Sequence, residues 1–115
     1  MRTYLDANVL IKWEDSDVRE KLKSILDDHN KIFYSSLFLE MEVIPFLILH
    51  KKIKGLEFIE GYFKKSRKIS FSKSDIKQAF EIQKKYGVMG TIDSIHLSLC
   101  RKEMIDEFIT LEKDT

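Results

Sequence analysis

Residues 1–8, MRTYLDAN, decide how the rest of the chain is read. Thr3–Leu5 is a short apolar run that stops at a carboxylate, Asp6, with a second polar side chain, Asn8, two positions on. A brief apolar run with polar punctuation fits a buried strand, and Asp6 then stands at its carboxyl end. The same pattern recurs down the chain. Ile32–Tyr34, Lys68–Phe71 and Glu107–Leu111 are expected as further strands. Between them lie helices. One runs from Asp17 to about Asp27, with Val18, Leu22, Ile25 and Leu26 on one face. One enters at Ser35 or Ser36 and continues through Leu37, Phe38 and Met41, with Pro45 expected to kink or break it near Ile44. Leu56–Phe63 is a third. The fourth runs from about Asp75 to Tyr86, entered at Ser72 or Ser74 and stopped by Gly87. The fifth runs from Ile92 to Glu103 behind a Thr91 cap. Connections this long join parallel strands through crossover helices. The expected fold is therefore α/β: a small parallel sheet of about four or five strands, helices on both faces, in one domain spanning residues 1–115.

Composition bounds the function. The 115 residues are 43% hydrophobic and 34% charged, with one proline and four glycines, which excludes a disordered or collagen-like chain. A chain of this length buries roughly two-thirds of its unfolded surface and needs no staples. The net charge is +1, too small for a whole-molecule field to draw in nucleic acid or membrane. A polyanionic partner must be held by a local patch. The middle of the chain offers Lys51, Lys52 and Lys54, then Lys64, Lys65, Arg67 and Lys68, readable as solvated helix ends or as a phosphate-binding rim. The single cysteine, Cys100, excludes an internal disulfide and a cysteine-rich metal site and fits a reducing, cytoplasmic setting. The first residues reach charge too early for a signal peptide, and the longest apolar run, Val43–Leu49, is about a third of a membrane span, so no membrane partner is expected. No glycine-rich phosphate loop, GxSxG or CxxC pattern is present.

The acidic residues carry the chemistry. Parallel sheets bind ligands at the carboxyl ends of their strands. Asp6 follows the first strand and Glu112 the last, with Thr110 just before it. Asp93 sits on the first turn of the Ile92–Glu103 helix, which also starts from a loop at that rim. Glu40 and Glu42 lie in the apolar stretch Leu37–Leu49. A helix turns about 100° per residue, so the two point roughly 200° apart and only one can face the rim. Burial does not choose between them, because both faces are apolar. Carboxylates converging on one rim repel one another, and a hard divalent cation, Mg²⁺ or Mn²⁺, removes that repulsion. Singly, each acid also has an ordinary reading as a cap, a helix-dipole partner or a solvated side chain. His96, one turn after Asp93, could face the same side and reads first as a packing or hydrogen-bonding residue.

Four motifs, YLDANVLI at 4–11, SSLFLEMEVIP at 35–45, GTIDSIHLSL at 90–99 and FITLEKD at 108–114, together resemble the PIN domain. That family comprises single-stranded-RNA nucleases and includes VapC-type toxins of toxin–antitoxin pairs. The resemblance covers nearly the whole chain in the family's motif order. It implies a divalent-metal-dependent endoribonuclease in which Asp6, Glu42, Asp93 and Glu112 are catalytic and hold Mg²⁺ or Mn²⁺. The family pattern places its helix acid immediately before Val43, which selects Glu42 over Glu40. Asn8 and Thr110 would orient carboxylates or metal-bound waters, and Lys12, Lys51, Lys52 and Lys54 would hold RNA phosphates. Glu112 departs from the family's commoner aspartate by one methylene. An RNA substrate, an antitoxin protein and a homodimer are the implied partners. The rival from another class is a PIN-fold binding module with weak or no catalysis. A phosphatase-like hydrolase built on Asp6-x-Asn8 is a third reading, which would need an aspartyl nucleophile.

Overall fold

The computed structural model describes residues 1–87 and 90–111. Its elements alternate as the sequence pattern requires: β1 (Arg2–Leu5), α1 (Ala7–Ile11), α2 (Ser16–Leu26), β2 (Ile32–Ser35), α3 (Leu37–Leu49), α4 (Ile53–Lys65), β3 (Arg67–Lys68), α5 (Lys73–Tyr86), α6 (Thr91–Lys102) and β4 (Glu107–Ile109). The strands form one parallel sheet in the order β3-β2-β1-β4. β1 is central, and Thr3, Tyr4 and Leu5 are all buried, as expected for a strand covered on both faces. Because every strand runs the same way, the residues just after them share one rim: Asp6 after β1, Ser36 after β2, Thr110 after β4.

The core joins Tyr4, Leu5 and Leu10 to Leu39, Val43 and Leu47 of α3, Ile59 of α4 and Leu99 of α6. Each fully buried aliphatic side chain of this kind contributes roughly 1.5–3 kcal/mol of burial. Caps set the helix starts. Asp15 accepts from the Asp17 N–H, and Ser36 Oγ accepts from the Leu39 N–H at 3.2 Å. At the other end of α5, Gly87 adopts a φ of +57°, a left-handed stop that other residues resist.

Four expectations are corrected. Pro45 does not break its helix: α3 runs through it without interruption from Leu37 to Leu49. Pro45 and Met41 both face solvent, so the carbonyl that loses its hydrogen bond has access to water. The third strand is only Arg67–Lys68, because its partner β2 ends at Ser35; after the Ile69 N–H reaches the Ser35 carbonyl, no backbone remains to pair with. β4 likewise stops at Ile109, where the Asp6 N–H makes the final bond to the Ile109 carbonyl before β1 turns into α1. The α6 cap is Gly90, with Thr91 already helical. The short α1, directly behind Asp6, has too few residues to register as a periodic pattern.

Candidate active site

Asp6 leaves β1 at the rim and does two things. One carboxylate oxygen accepts from the Ala7 N–H at 2.8 Å, capping α1. The other accepts from the Thr110 hydroxyl at 3.0 Å, tying the end of β1 to the end of β4. Asn8, the second residue of α1, contacts Thr110 Oγ1 through its amide nitrogen at 3.0 Å and accepts from the Leu111 N–H at 3.2 Å. The polar residues after two adjacent strands are thus locked together, which fixes the Asp6 rotamer.

Asp93 reaches the same rim from the first turn of α6. Its side chain is exposed, and it makes no hydrogen bond or ion pair among the described residues. Asp6, Asp93, His96, Arg101, Phe108 and Thr110 all line one cleft of about 790 Å³ between α6 and β4. Asp93, Leu97, Cys100 and Arg101 form its α6 wall at i, i+4, i+7 and i+8 spacing, one helix face. Burial pushes the Cys100 thiol up to about 12, so it lines the cleft as an inert apolar group rather than a nucleophile.

Glu40 and Glu42 separate as helix geometry demands. Glu40 pairs with Lys68 of β3. Glu42 turns the other way and its Oε1 meets Nε2 of His96, on α6. His96 is only 2% exposed. Its other nitrogen, Nδ1, lies 2.7 Å from the Tyr4 hydroxyl, which in turn lies 2.8 Å from Ser36 Oγ. Burial drives the Tyr4 hydroxyl well above its ordinary pKa, outweighing the opposing hydrogen bond from Ser36, so it stays protonated. The sequence pattern gives His96 a packing role; the structure adds a carboxylate partner 54 positions away, for which no local signal exists.

The remaining candidates are dispersed. Glu112 lies outside the described residues. Lys12 is exposed at the end of α1. Ser35 and Ser66 hydroxyls meet at 2.6 Å, so α3 begins and α4 ends near the rim, and the intervening loop lies at the far end of the pair. Lys51, Lys52 and Lys54 are therefore a helix length, about 20 Å, from Ser36. Arg101, which the sequence pattern does not single out, is the cation that lines the cleft among the described residues; its signal is the i+8 spacing from Asp93.

Among the described residues no three His, Cys, Asp or Glu side chains stand close enough to enclose a metal. The donor chemistry still suits Mg²⁺ or Mn²⁺. Three carboxylates line one cleft, Asp6, Asp93 and Asp106, the last accepting from the Arg2 N–H at 2.7 Å, and Mg²⁺ is commonly held by one or two carboxylates with water filling its other positions.

Comparison with known proteins agrees with this architecture. A toxin–antitoxin complex from Klebsiella pneumoniae contains a chain similar at TM-score 0.67 and 15% identity, with 97% of this chain and 99% of that one covered. VapBC2 from Rickettsia felis, bound to a DNA fragment from its promoter, contains a chain similar at TM-score 0.72 and 16% identity, covering 97% of this chain and 89% of that one. At such identities the likeness is one of fold. Comparison with curated proteins gives no match. The PIN domain profile matches residues 3–115, from the first strand through the last acidic segment, and on that match the chain belongs to the PIN domain family.

Proposed function

We propose that the protein is a metal-dependent endoribonuclease acting on single-stranded RNA, the toxin of a toxin–antitoxin pair. The observation that carries this reading is the cleft lined by both Asp6 and Asp93 at the carboxyl rim of the sheet, in a chain of a family whose members are typically nucleases. Asp6 and Asp93 would hold one Mg²⁺ or Mn²⁺, with Glu42 and Glu112 completing the site directly or through water. A divalent cation there supplies charge neutralisation at a scissile phosphate and a more acidic bound water. The chain's own residues do the rest. Thr110 and Asn8 hold Asp6 in place. Arg101 is positioned to meet a phosphate within the cleft. Lys12, Lys51, Lys52 and Lys54 would meet phosphates farther along the strand.

The two similar chains come from toxin–antitoxin complexes, which supports an antitoxin partner and a cytoplasmic setting for this chain. A homodimer belongs to the same reading. No helix among the described residues is long and apolar enough to cross a membrane. One observation favours an alternative, a PIN-fold binding module with little catalysis: among the described residues no three acidic or histidine side chains stand close enough to enclose a metal.

The test is cleavage of a labelled single-stranded RNA with Mg²⁺ or Mn²⁺. Activity abolished by EDTA, restored by excess metal and lost in Asp93→Asn supports the nuclease. RNA binding without metal-dependent cleavage selects the binding module.

A further inference from the structure

We propose that His96 is the positioning residue of the metal site, acting through Glu42 by a hydrogen-bond relay that starts at Ser36. The inference rests on the reading that Glu42 serves a metal.

The bonding sets the direction of the relay. A carboxylate only accepts, so His96 Nε2 carries the proton that it gives to Glu42 Oε1. The other ring nitrogen, Nδ1, lies 2.7 Å from the Tyr4 hydroxyl, so both nitrogens are engaged. The Tyr4 and Ser36 hydroxyls share a hydrogen bond at 2.8 Å, and Ser36 Oγ accepts from the Leu39 N–H at 3.2 Å. Every polar side chain in the series has a hydrogen-bond partner. Tyr4 is fully buried in the central strand, and His96 is 2% exposed with its ring tilted 55° against the Tyr4 ring. A buried imidazole with both nitrogens satisfied has one orientation. The flexible end of this array is Glu42, whose side chain is 34% exposed.

The partner distinguishes this contact from the lysine pairs of the other acids. Glu40 and Asp75 are each held by a lysine, which cancels their charge. Glu42 is held by an N–H on a buried imidazole ring rather than by a flexible lysine. One oxygen is held, and the other has no partner among the described residues. A carboxylate that must offer an oxygen to a cation is served by this arrangement, in which its orientation is fixed and one oxygen is left over.

The experiment is Mn²⁺ calorimetry on the full chain, with thermal unfolding of each metal-free variant alongside. His96→Leu removes the donor and should weaken Mn²⁺ binding about tenfold or more, the usual scale for a partner behind a ligand. His96→Gln keeps an N–H within reach of Glu42 and should recover most of that loss. Glu42→Gln should weaken binding at least as much, and the double variant Glu42→Gln with His96→Leu should bind no more weakly than Glu42→Gln alone. Should His96→Leu not fold, Tyr4→Phe, which deletes a single hydroxyl, should still weaken binding several-fold. A lowered unfolding temperature with unchanged Mn²⁺ affinity in His96→Leu or Tyr4→Phe, while Glu42→Gln does weaken binding, overturns the positioning role and leaves a helix clamp. Unchanged affinity in Glu42→Gln, with loss in Asp6→Asn and Asp93→Asn, overturns the relay at its last link, because Glu42 is then no ligand.

Discussion

Asp75 and Asp93 are both helix first-turn aspartates, yet their surroundings are opposite. Asp75, on α5, is 5% exposed and accepts from the Ser72 N–H at 2.7 Å, the Ser72 hydroxyl at 3.1 Å and Lys102 Nζ at 3.1 Å. Lys102 comes from the end of α6 and also reaches the Ser70 carbonyl at 2.9 Å, so this cluster staples α5, α6 and the segment after β3 together. Burial alone would raise the Asp75 pKa, but the Ser72 and Lys102 hydrogen bonds outweigh it and hold the carboxyl below its ordinary value. Asp93, on the next helix, is exposed in the cleft with no partner among the described residues. A carboxylate that is buried and held by three donors from its own protein stabilises the fold and is closed to a ligand. One left unsatisfied, beside a second carboxylate, adds little stability and is free to bind.

That contrast is broken or sharpened most strongly by exchanging charge for shape at each site. Asp93→Asn should reduce RNA cleavage by at least about a hundredfold, the scale of losing a few kcal/mol of charge stabilisation, with the unfolding temperature unchanged. Asp75→Asn should do the reverse, costing roughly 1–2 kcal/mol in denaturant unfolding while cleavage at a temperature well below unfolding persists. Cleavage lost only in Asp75→Asn would mean that the site has been placed on the wrong helix turn.

Metal dependence is the next largest effect. Mn²⁺ at a hundred times its Kd should stabilise the native chain by about 2.7 kcal/mol, measured as a rise in unfolding temperature. The rise should vanish in the Asp6→Asn, Asp93→Asn double variant and survive in Asp75→Asn. Equal stabilisation in the double variant places the metal elsewhere.

A stability difference of under about 1 kcal/mol, set beside a difference in cleavage, separates the two acids of α3. Glu42→Gln should abolish cleavage, whereas Glu40→Gln should leave it intact and lower stability by under about 1 kcal/mol, since its pair with Lys68 is partly exposed. An inactive Glu40→Gln variant would reverse the assignment.

The smallest effect is in pH. Asp75 has a folded pKa below its ordinary 3.8, and Glu107, held down chiefly by the Lys31 hydrogen bond, lies below its ordinary 4.5. A depressed folded value means that the unfolded chain binds protons first, so both contributions are complete above these ordinary values and fade as pH falls through the folded ones. Denaturant midpoints should therefore be flat near neutrality with respect to these two groups and fall below about pH 4. The decline should be shallower in Asp75→Asn; an identical acid slope in that variant would show that the staple carries no linked charge.

Much of this was legible in the chain itself. The position of Asp6 follows from Thr3–Leu5 being a strand that stops there, and the opposed directions of Glu40 and Glu42 follow from 100° per residue. The stop at Gly87 and the entry at Ser36 are local backbone chemistry. These are short-range properties, set within a few residues by sterics and hydrogen bonding. Tertiary structure alone decided the rest. It ended β3 and β4 where their neighbours stopped, and it allowed α3 to continue through Pro45 because that face meets solvent. It set His96 between Tyr4 and Glu42, 92 and 54 positions away, and gave Asp75 the lysine that Asp93 lacks. A carboxylate's partner depends on which distant elements pack against its own, and no local pattern of residues carries that information.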